Sequence, residues 1–341
     1  MSVRSLYTSF IAAGCCILFN STGQAAPGDI YAGTLSHRTV ERFTPDGAQS
    51  TAVSGPFADA IAFDRFANLY VADTAANSII RVTPNGTSET IATNVAPAAL
   101  AFDRDGNLLV ADGFTNSILR YTPAGVRSTL IPDVSAPTGI VLDGAGNVFV
   151  SESATDSILR FTPAGVRTTF ASQLNVPHGL VFDAAGNLYV ANFRSDTIVK
   201  LSPTGEATLF ASQQNGVRHL AFGPSGDLFA GNYTAQSIQR ITPDGTVSTF
   251  TAGILVGGVA VEPPVEGPRI TSISRQPNGN ILLRGISSPN STTTVLQVSP
   301  NIATGSFSFL TLVTPDVAGQ FSYEDPGGSV FNRRFYRLFV P

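Results

Sequence analysis

A unit of about forty residues recurs along the first three quarters of the chain, and this periodicity restricts the fold more than any other feature. One anchor of the unit is the asparagine or aspartate at Asn68, Asn107, Asn147, Asn187 and Asp227, at steps of 39, 40, 40 and 40 residues. A second anchor is the proline of a short turn, found at Pro45, Pro84, Pro123, Pro163, Pro203 and Pro243. A strict period of this length indicates supersecondary units that bury their apolar faces only against neighbouring units.

Within each unit the apolar residues alternate with a period of two. In the clearest copy the pattern predicts four short strands, at Gly139–Asp143, Val148–Glu152, Ser157–Phe161 and Val166–Phe170. The strands are separated by Gly-rich and Pro-containing turns, and the fourth is the most polar, as expected of an outer edge. Helical repeats would need longer runs with a period of 3.6, which are absent from the sequence. Four antiparallel strands in about forty residues predict the blade of a β-propeller.

The number of copies predicts six blades. Complete copies begin near Ala58, Pro97, Pro137, Pro177 and Val217. The segment Asp29–Ser54 supplies only three strands, and the missing innermost strand is expected at Val256–Val261. We therefore predict an all-β fold, a six-bladed β-propeller in which one blade is built from both ends of the repeat region. Such closure leaves no open sheet edge between the first and last blades.

The two ends of the chain differ from the repeats. Residues 1–25 contain Arg4, the apolar stretch Ile11–Phe19 and small residues before Ala26, which is typical of a cleaved secretory signal. A lipoprotein acylated at Cys15 is the alternative that the segment leaves open. The predicted organisation is a signal peptide (1–25), a propeller (26–262), a linker (263–268) and a C-terminal domain (269–341). The expected location is secreted, periplasmic or on the cell surface.

Residues 269–341 have a strand pattern of their own, with separators rich in turn residues. The pattern predicts a small β-sandwich of immunoglobulin-like size that lacks the Cys-Trp-Cys core. Its closing segment, Arg333–Pro341, resembles the end of a C-terminal module of secreted bacterial proteins. A passive spacer or attachment domain and a glycan-binding module are the two roles that this pattern leaves open.

Charge limits the partners. The chain has 20 basic and 24 acidic residues, a formal net charge of −4, and its charges are scattered singly without a basic run. Nucleic acid is therefore not an expected partner, and no membrane span is predicted. We expect a monomer that binds a small molecule, a glycan or a protein.

Blade geometry assigns each loop to a face of the propeller. Labelling the strands of a blade A to D from the centre outwards, the A–B and C–D turns share one face, here called the bottom, and the B–C loops and D–A connections share the other, the top. The residues just before strand A are Asp59, Ala98, Thr138, His178, Arg218 and Gly257. The residues that end strand B are Gly33, Asp73, Asp112, Glu152, Asn192 and Asn232. All three histidines, His37, His178 and His219, map to the top face, as do Phe114, Phe193 and Tyr233 in B–C loops.

Each of these candidates has a structural interpretation beside the functional one. Acids and amides that end strand B are able to accept bonds from backbone N–H groups of the next loop, an interpretation we favour for Asp73 and Asp112. The other candidates depart from the repeat consensus in adjacent blades, and for them the structural and functional interpretations both stay open. They are Glu152, His178, Asn192, Arg218 and His219. The run Asp103–Asn107 has part of the pattern of a calcium loop, but it lacks the later bidentate acid, so a hairpin turn is favoured.

The motif PxG-[IL]-x-[FL]-D-x-x-G-N-[LV]-[YF]-V, followed by S-I-x-R-[FY]-[TS]-P-x-G, resembles NHL-repeat propellers. It is also similar to the six-bladed streptogramin (virginiamycin B) lyases and to the gluconolactonase/regucalcin (SMP-30) family. The lyase resemblance implies a magnesium site made by a His before strand A and a Glu that ends strand B. His178 matches this His, but position 192 is Asn and the Glu occurs one blade earlier, at Glu152. The lactonase metal set is not reproduced as a set, with Asp59 and Asn192 as its remnants.

Two functions follow from this pattern. The first is a non-catalytic propeller that binds its ligand on the top face and needs no cofactor, through Asp59, Thr138, Asn192, Phe193, Arg218, Asn232 and Tyr233. The second is a metal-assisted lyase or lactone hydrolase, in which Mg²⁺ or Ca²⁺ bound near Glu152, His178 and Asn192 polarises a carbonyl group. In that alternative His178 or His219 acts as the base.

Overall fold

The computed structural model describes residues 28–263, 269–278, 280–286, 295–299, 308–315, 319–325 and 335–339. The predicted signal segment and most of the predicted linker lie outside these residues. All regular secondary structure in the described ranges is β-strand. The described residues contain no helix that is long and apolar enough to cross a membrane. The prediction of an all-β fold is confirmed.

Six four-stranded antiparallel sheets form the repeat region, which confirms the six-bladed propeller. Blade one contains β1 (Ile30–Thr34), β2 (Thr39–Phe43), β3 (Gln49–Ser54) and β24 (Val256–Val261). Blade two contains β4 (Ala58–Phe63), β5 (Leu69–Asp73), β6 (Ser78–Val82) and β7 (Ser88–Thr93). Blade three contains β8 (Pro97–Phe102), β9 (Leu108–Asp112), β10 (Ser117–Tyr121) and β11 (Arg127–Ile131).

The other three blades have the same order. Blade four contains β12 (Pro137–Leu142), β13 (Val148–Glu152), β14 (Ser157–Phe161) and β15 (Arg167–Ala171). Blade five contains β16 (Pro177–Phe182), β17 (Leu188–Asn192), β18 (Thr197–Leu201) and β19 (Ala207–Ala211). Blade six contains β20 (Val217–Phe222), β21 (Leu228–Asn232), β22 (Ser237–Ile241) and β23 (Val247–Ala252). The innermost strands β24, β4, β8, β12, β16 and β20 pack side by side around a central channel.

Blade one joins the two ends of the repeat region. Strand β24 pairs antiparallel with β1, with Ile30 opposite Val261. The amide of Glu262 donates to the Asp29 carbonyl at 2.9 Å, and the Tyr31 hydroxyl donates to the Glu262 carboxylate at 3.1 Å. These bonds hold the ring closed through a strand contributed by each end.

The hydrophobic core lies between blades rather than within one central mass. Strand B is buried along its whole length in every blade, because its two faces pack against the two neighbouring blades. The outermost strands are largely exposed, as in β15. Stability therefore depends on a ring of interfaces, each formed by the apolar side chains of two adjacent blades.

The bottom turns repeat the same hydrogen bonds. In blade four the Asp143 carboxylate accepts from the backbone amides of Ala145 and Asn147, both at 2.9 Å, and from Asn147 Nδ2 at 2.6 Å. Gly146 has a φ of 82°, which a side chain disfavours. Burial acts to raise the pKa of Asp143, but the bonds from Asn147 and Ala145 outweigh it and hold the pKa below its ordinary value. This Asx-type turn explains the Asp-x-x-Gly-Asn signature.

The same turn occurs at Asp103–Asn107, the segment that has part of the pattern of a calcium loop. Asp103 Oδ1 accepts from the amides of Asp105 and Asn107 at 3.0 and 2.8 Å, and Asp103 Oδ2 accepts from Asn107 Nδ2 at 2.7 Å. The bonds are those of a hairpin turn.

Two compact units make up the chain, one that ends at Pro264 and a C-terminal one, Val265–Pro341. The C-terminal unit has two three-stranded sheets. One contains β25 (Arg269–Arg275), β26 (Ile281–Ile286) and β29 (Gln320–Asp325), and the other contains β27 (Val295–Ser299), β28 (Ser308–Leu312) and β30 (Phe335–Phe339). Side chains of both sheets, among them Leu283 and Leu296, share one hydrophobic cluster. The connections that would define a sandwich lie outside the described residues, so that part stays a prediction.

Candidate functional site

A β-bulge lies at the top of every innermost strand. In blade two Ala58 is opposite Asp73 and Ala60 is opposite Ala72, so Asp59 has no partner in the ladder. The same irregularity includes Ala98, Thr138, His178, Arg218 and Gly257. A bulge redirects the side chain of the extra residue. The ring of positions that the sequence analysis singled out is therefore a ring of bulges at the channel mouth.

An ion pair spans part of the mouth. Arg218 Nη1 lies 3.2 Å from Asp59 Oδ1, although the two residues belong to blades six and two. Blade one lies between them and contributes Gly257, where a Cβ atom would collide with the carbonyl oxygen of Ala58. The Arg218 guanidinium also lies 5.3 Å from the centre of the Tyr233 ring. Arg218 is thereby fixed between a carboxylate and an aromatic face.

His178 lies beside an aromatic ring in blade five. Its imidazole is 5.3 Å from the Phe193 ring, centre to centre, at an angle of 49°. Burial, and next the positive charge of Arg218, lower the pKa of His178 to about 4. The imidazole is consequently neutral at pH 7. The Phe193 ring comes from the first residue after β17, so one B–C loop places it against the bulge of the same blade.

His219 has the largest side chain among the six equivalent positions that directly follow the bulge residue of each blade. The equivalent residues are Ala60, Ala99, Gly139, Gly179 and Gly258. Its ladder partner is Gly231, and its Nε2 atom is buried without a hydrogen-bond partner among the described atoms. Burial, and then the nearby Arg218 and His178, hold the pKa of His219 well below its ordinary value. The charge of Arg218 therefore acts on two neutral imidazoles, those of His178 and His219.

The acids that end strand B bind backbone amides. Asp73 Oδ1 accepts from the amides of Phe57, Ala75 and Ala76, each at 3.2 Å. Asp112 Oδ1 accepts from the amide of Ala96 at 2.7 Å. The structural interpretation favoured for these two residues agrees with the bonds they make.

Glu152 makes the same kind of contacts. One carboxylate oxygen accepts from the Ser135 amide at 2.8 Å and lies 3.4 Å from Arg167 Nη2, and the other accepts from the Thr155 hydroxyl at 2.9 Å. The residue is only 2% exposed. Glu152 departs from the Asp found in blades two and three, and it caps both the β11–β12 connection and the β13–β14 loop.

The two amides that end strand B differ from each other. Asn192 Oδ1 accepts a long bond, 3.4 Å, from the Asn175 amide. Asn232 is fully buried, and neither its Oδ1 nor its Nδ2 has a partner among the described atoms. No group of three or more His, Cys, Asp or Glu side chains suited to a metal ion occurs in the described ranges. The proposed set of Glu152, His178 and Asn192 stays a prediction.

Thr138 positions the neighbouring strand. Its hydroxyl donates to the Pro177 carbonyl at 2.7 Å, and the Ser151 hydroxyl donates to the His178 carbonyl at 2.6 Å. A Cβ atom at Gly139 would collide with that same His178 carbonyl oxygen. Blade four therefore holds the backbone of His178 closely, and Thr138 contributes to the mouth through this contact.

The other top-face aromatic and histidine residues are exposed. His37 lies in the β1–β2 loop, and Phe114 in the β9–β10 loop is 60% exposed. Neither belongs to the cluster of His178, Arg218 and His219.

The sequence analysis missed two glutamines whose side-chain oxygen atoms are buried. Gln214 is fully buried in the connection to blade six, and its Oε1 atom has no partner among the described atoms. Gln239 in β22 likewise has a buried Oε1 atom without one. The equivalents of Gln214 in other blades are apolar, Val95, Val134, Leu174 and Ile254. That departure from an apolar consensus was the available signal.

No family model matches the sequence, and no curated protein matches it either. Among solved structures, a chain of the nidogen/laminin complex superimposes with a TM-score of 0.63 at 20% identity, over 70% of this chain and 98% of that one. A catalytically inactive virginiamycin B lyase from Staphylococcus aureus with quinupristin gives 0.54 at 16% identity, over 94% and 98% of the two chains. A gluconolactonase from Xanthomonas campestris gives 0.52 at 16% identity, over 77% and 95%.

At these identities the similarity shows a common propeller fold. The families named by the sequence motifs, NHL-type propellers, streptogramin lyases and gluconolactonases, are the ones whose fold this chain has. They include enzymes as well as a chain from a protein–protein complex, so the fold is compatible with catalysis and with binding alike.

Proposed function

We propose that this protein is a secreted or surface-exposed propeller that binds a polar ligand containing a ring, such as a glycan or an aromatic compound, at the mouth of blades five and six. The observation that carries the proposal is the pairing of two aromatic rings with two polar side chains. Phe193 lies against the imidazole of His178, and Tyr233 lies against the guanidinium of Arg218. Apolar rings beside a few fixed polar groups are typical of small-molecule sites.

The polar groups determine what the ligand presents. Arg218 is a donor whose carboxylate partner, Asp59, comes from across the mouth, and the neutral His178 is able to donate or to accept. A ligand with hydroxyl or carbonyl groups next to a ring matches this set.

Two contacts weigh against the metal-assisted alternative. Both Glu152 oxygens are engaged by the Ser135 amide, the Thr155 hydroxyl and Arg167, so binding a cation would break bonds that hold the loop. The positive charge of Arg218 acts on both His178 and His219, and it would oppose a divalent cation there. These contacts are our reason for preferring a site without Mg²⁺ or Ca²⁺.

One observation favours catalysis as the second candidate. His178 and His219 are held neutral at pH 7, the form that accepts a proton as a general base. A lyase or lactone hydrolase built on this pair would rely on Arg218, rather than on a metal ion, to stabilise developing negative charge.

Thermal-shift screening of a panel of oligosaccharides and aromatic natural products, with and without EDTA, tests the proposal. We expect a compound that raises the melting temperature equally in both conditions, is recovered unchanged, and loses its effect in His178→Ala/Arg218→Ala. Conversion of the compound would favour the enzyme. A shift that disappears with EDTA, or that survives the double replacement, would contradict the proposal.

A further inference from the structure

Each interface between successive blades has three equivalent positions near the bottom face. They are the second residue of strand B, the bulged residue of strand D, and the last residue of strand A of the next blade. Between blades four and five these residues are Phe149, Phe170 and Phe182. The Phe149 ring lies 5.0 Å from Phe170 and 5.1 Å from Phe182, both nearly perpendicular. Here, the three rings close the space between the blades.

Aromatic pairs occupy these positions at four further interfaces. The centre-to-centre distances are 4.9 Å for Tyr189–Phe210, 5.1 Å for Tyr189–Phe222, 5.1 Å for Phe229–Phe250, 4.9 Å for Tyr31–Phe63 and 4.8 Å for Tyr70–Phe102. Edge-to-face contacts of this kind stabilise a packed interface beyond the area that they bury.

The interface between blades three and four is the exception. Its three positions hold Leu109, Leu130 and Leu142, so it has no ring at any of them. A groove of about 830 Å³ opens there, and all three leucines line it. Leu130 is 37% exposed at the groove, whereas its equivalent Phe170 packs against Phe149. The groove is thus the space that aromatic rings fill at the other five interfaces.

The rim of the groove is formed by the bottom turns and is acidic. Its charged residues are three carboxylates, Asp103, Asp105 and Asp143, and one guanidinium, Arg104. At two of the five filled interfaces a cation of strand C lies over the ring, Arg160 at 5.9 Å from Phe149 and Lys200 at 5.5 Å from Tyr189. The equivalent residue at the groove is Arg120, opposite Leu109. An aromatic ring beside a positive charge is therefore the pairing found in the equivalent space of these two interfaces.

We propose that the groove between blades three and four binds a segment of a partner protein that presents a Phe or Tyr side chain flanked by basic residues. The ring inserts among Leu109, Leu130 and Leu142, and the basic side chains meet the carboxylates of the bottom turns. The site lies on the face opposite the mouth, so it is independent of the function proposed for the mouth.

The occupant follows from two features of the groove. Three leucines give an apolar floor without hydrogen-bonding groups, which favours the apolar face of an aromatic ring over a charged or amide side chain. The acidic turns lie along the opening of the groove. Their carboxylates would therefore attract positive charges on the residues next to the inserted aromatic residue. A peptide places a basic side chain on either side of its ring in that way.

Methyl NMR of the full chain, with labelled leucines, tests the proposal with three blocked tripeptides. Acetyl-Arg-Phe-Arg-amide should shift the methyl signals of Leu109, Leu130 and Leu142 in a saturable manner, with a dissociation constant of about a millimolar, as expected of so small a probe. Arg-Ala-Arg and Glu-Phe-Glu should bind at least about fivefold more weakly, because each lacks one of the two recognised features. Absence of saturable shifts, or equal binding of all three, would overturn the proposal.

Two variants fill the groove from inside the protein. Leu130→Phe introduces the residue found at Phe170, and Leu109→Tyr/Leu130→Phe/Leu142→Phe introduces the full set of rings. Either variant, if folded, should bind Arg-Phe-Arg at least about tenfold more weakly. Asp105→Lys leaves the leucines intact, and it should weaken Arg-Phe-Arg while strengthening Glu-Phe-Glu. Unchanged binding in Leu130→Phe together with Asp105→Lys would overturn the proposal even if the triple variant failed to fold.

Discussion

The bottom turns and the channel mouth are built by the same repeat, but they differ in how far each blade keeps its consensus. Four bottom turns, those that begin at Asp64, Asp103, Asp143 and Asp183, form the same side-chain bond to the asparagine four residues later, at 2.6 to 2.7 Å. At the mouth the six bulge residues are Asp, Ala, Thr, His, Arg and Gly. Blades that pack equivalently need equivalent turns, whereas a bulge side chain that faces the channel is free to vary. Residues that are the same in each blade therefore indicate the face that stabilises the fold, and residues that differ between blades indicate the candidate binding face.

The closure of the ring supports both faces, so its loss should have the largest effect. Deleting residues 26–54 removes β1, β2 and β3 and exposes the edge of β24 and one side of blade two. We expect the truncated protein to aggregate and to lose its cooperative melting transition. A truncated form that remains monomeric, with an unchanged melting curve, would show that closure is dispensable.

The second largest loss of stability is expected when the hydrogen bonds of a single bottom turn are removed. Asp143→Ala removes the acceptor for two backbone amides and for Asn147 Nδ2, which leaves donors unsatisfied around a buried asparagine. The free energy of unfolding should fall by about 3 kcal/mol, measured by urea denaturation. Ligand binding at the mouth should not change. If binding falls while stability is kept, the division between the two faces is wrong.

Glu152 tests the boundary between the two faces, because it lies on the top but makes the contacts of a cap. Glu152→Ala should lower the free energy of unfolding by about 2 kcal/mol, since the Ser135 amide and the Thr155 hydroxyl lose their acceptor. Glu152→Gln, which keeps an acceptor oxygen, is the matched control and should recover part of the loss. A stable Glu152→Ala protein that no longer binds ligand would restore the functional interpretation of this residue.

The half-buried imidazole of His178 predicts a dependence of stability on pH. The pKa of His178 is about 4 in the folded protein and near 6.5 in the unfolded chain, so only the unfolded chain takes up a proton between these values. The contribution of the neutral His178 to the free energy of unfolding is fully present above about pH 6.5, and it is lost as the pH falls toward 4. Allowing for partial exposure, His178 should account for about 1 kcal/mol between pH 7 and pH 5. His178→Gln should reduce the slope, and an identical slope would contradict the assignment.

The smallest effect on stability is expected for Arg218. The ion pair with Asp59 is partly exposed, so Arg218→Ala should change the free energy of unfolding by less than about 1 kcal/mol. It should also raise the pKa of His178, because a neighbouring positive charge is removed. Imidazole titration by NMR measures this shift. A lower or unchanged pKa would show that the two groups do not interact at the mouth.

The fold could be predicted from the sequence because repetition multiplies weak signals. One copy of the strand pattern is ambiguous, but five copies with Asn or Asp at the same place define a blade, and the leftover strand at Val256–Val261 implies closure. The assignment of loops to faces also followed from the alternation of strand directions.

The candidate site was less predictable, because a departure from consensus has more than one physical cause. His178 and Arg218 depart and belong to adjacent blades, with the backbone of Arg218 and His219 packed against Gly179, and the charge of Arg218 contributes to the lowered pKa of both imidazoles. Glu152 departs equally, yet its oxygens hold its own loop. The sequence shows that a side chain changed, but not whether its atoms point to a loop or to the channel. Leu109, Leu130 and Leu142 carried no signal alone, since leucine is an ordinary core residue, and only the comparison of interfaces makes them informative.

Calorimetric titration of a ligand found by the screen into three proteins tests the functional claim most directly. The proteins are the unmodified chain, His178→Ala/Arg218→Ala, and Asp143→Ala. We predict that the double replacement weakens binding at least about a hundredfold, equal to roughly 2.7 kcal/mol, and that the less stable Asp143→Ala protein binds like the unmodified chain. Undiminished binding by the double variant, or a parallel loss in Asp143→Ala, would contradict a site at the mouth of blades five and six.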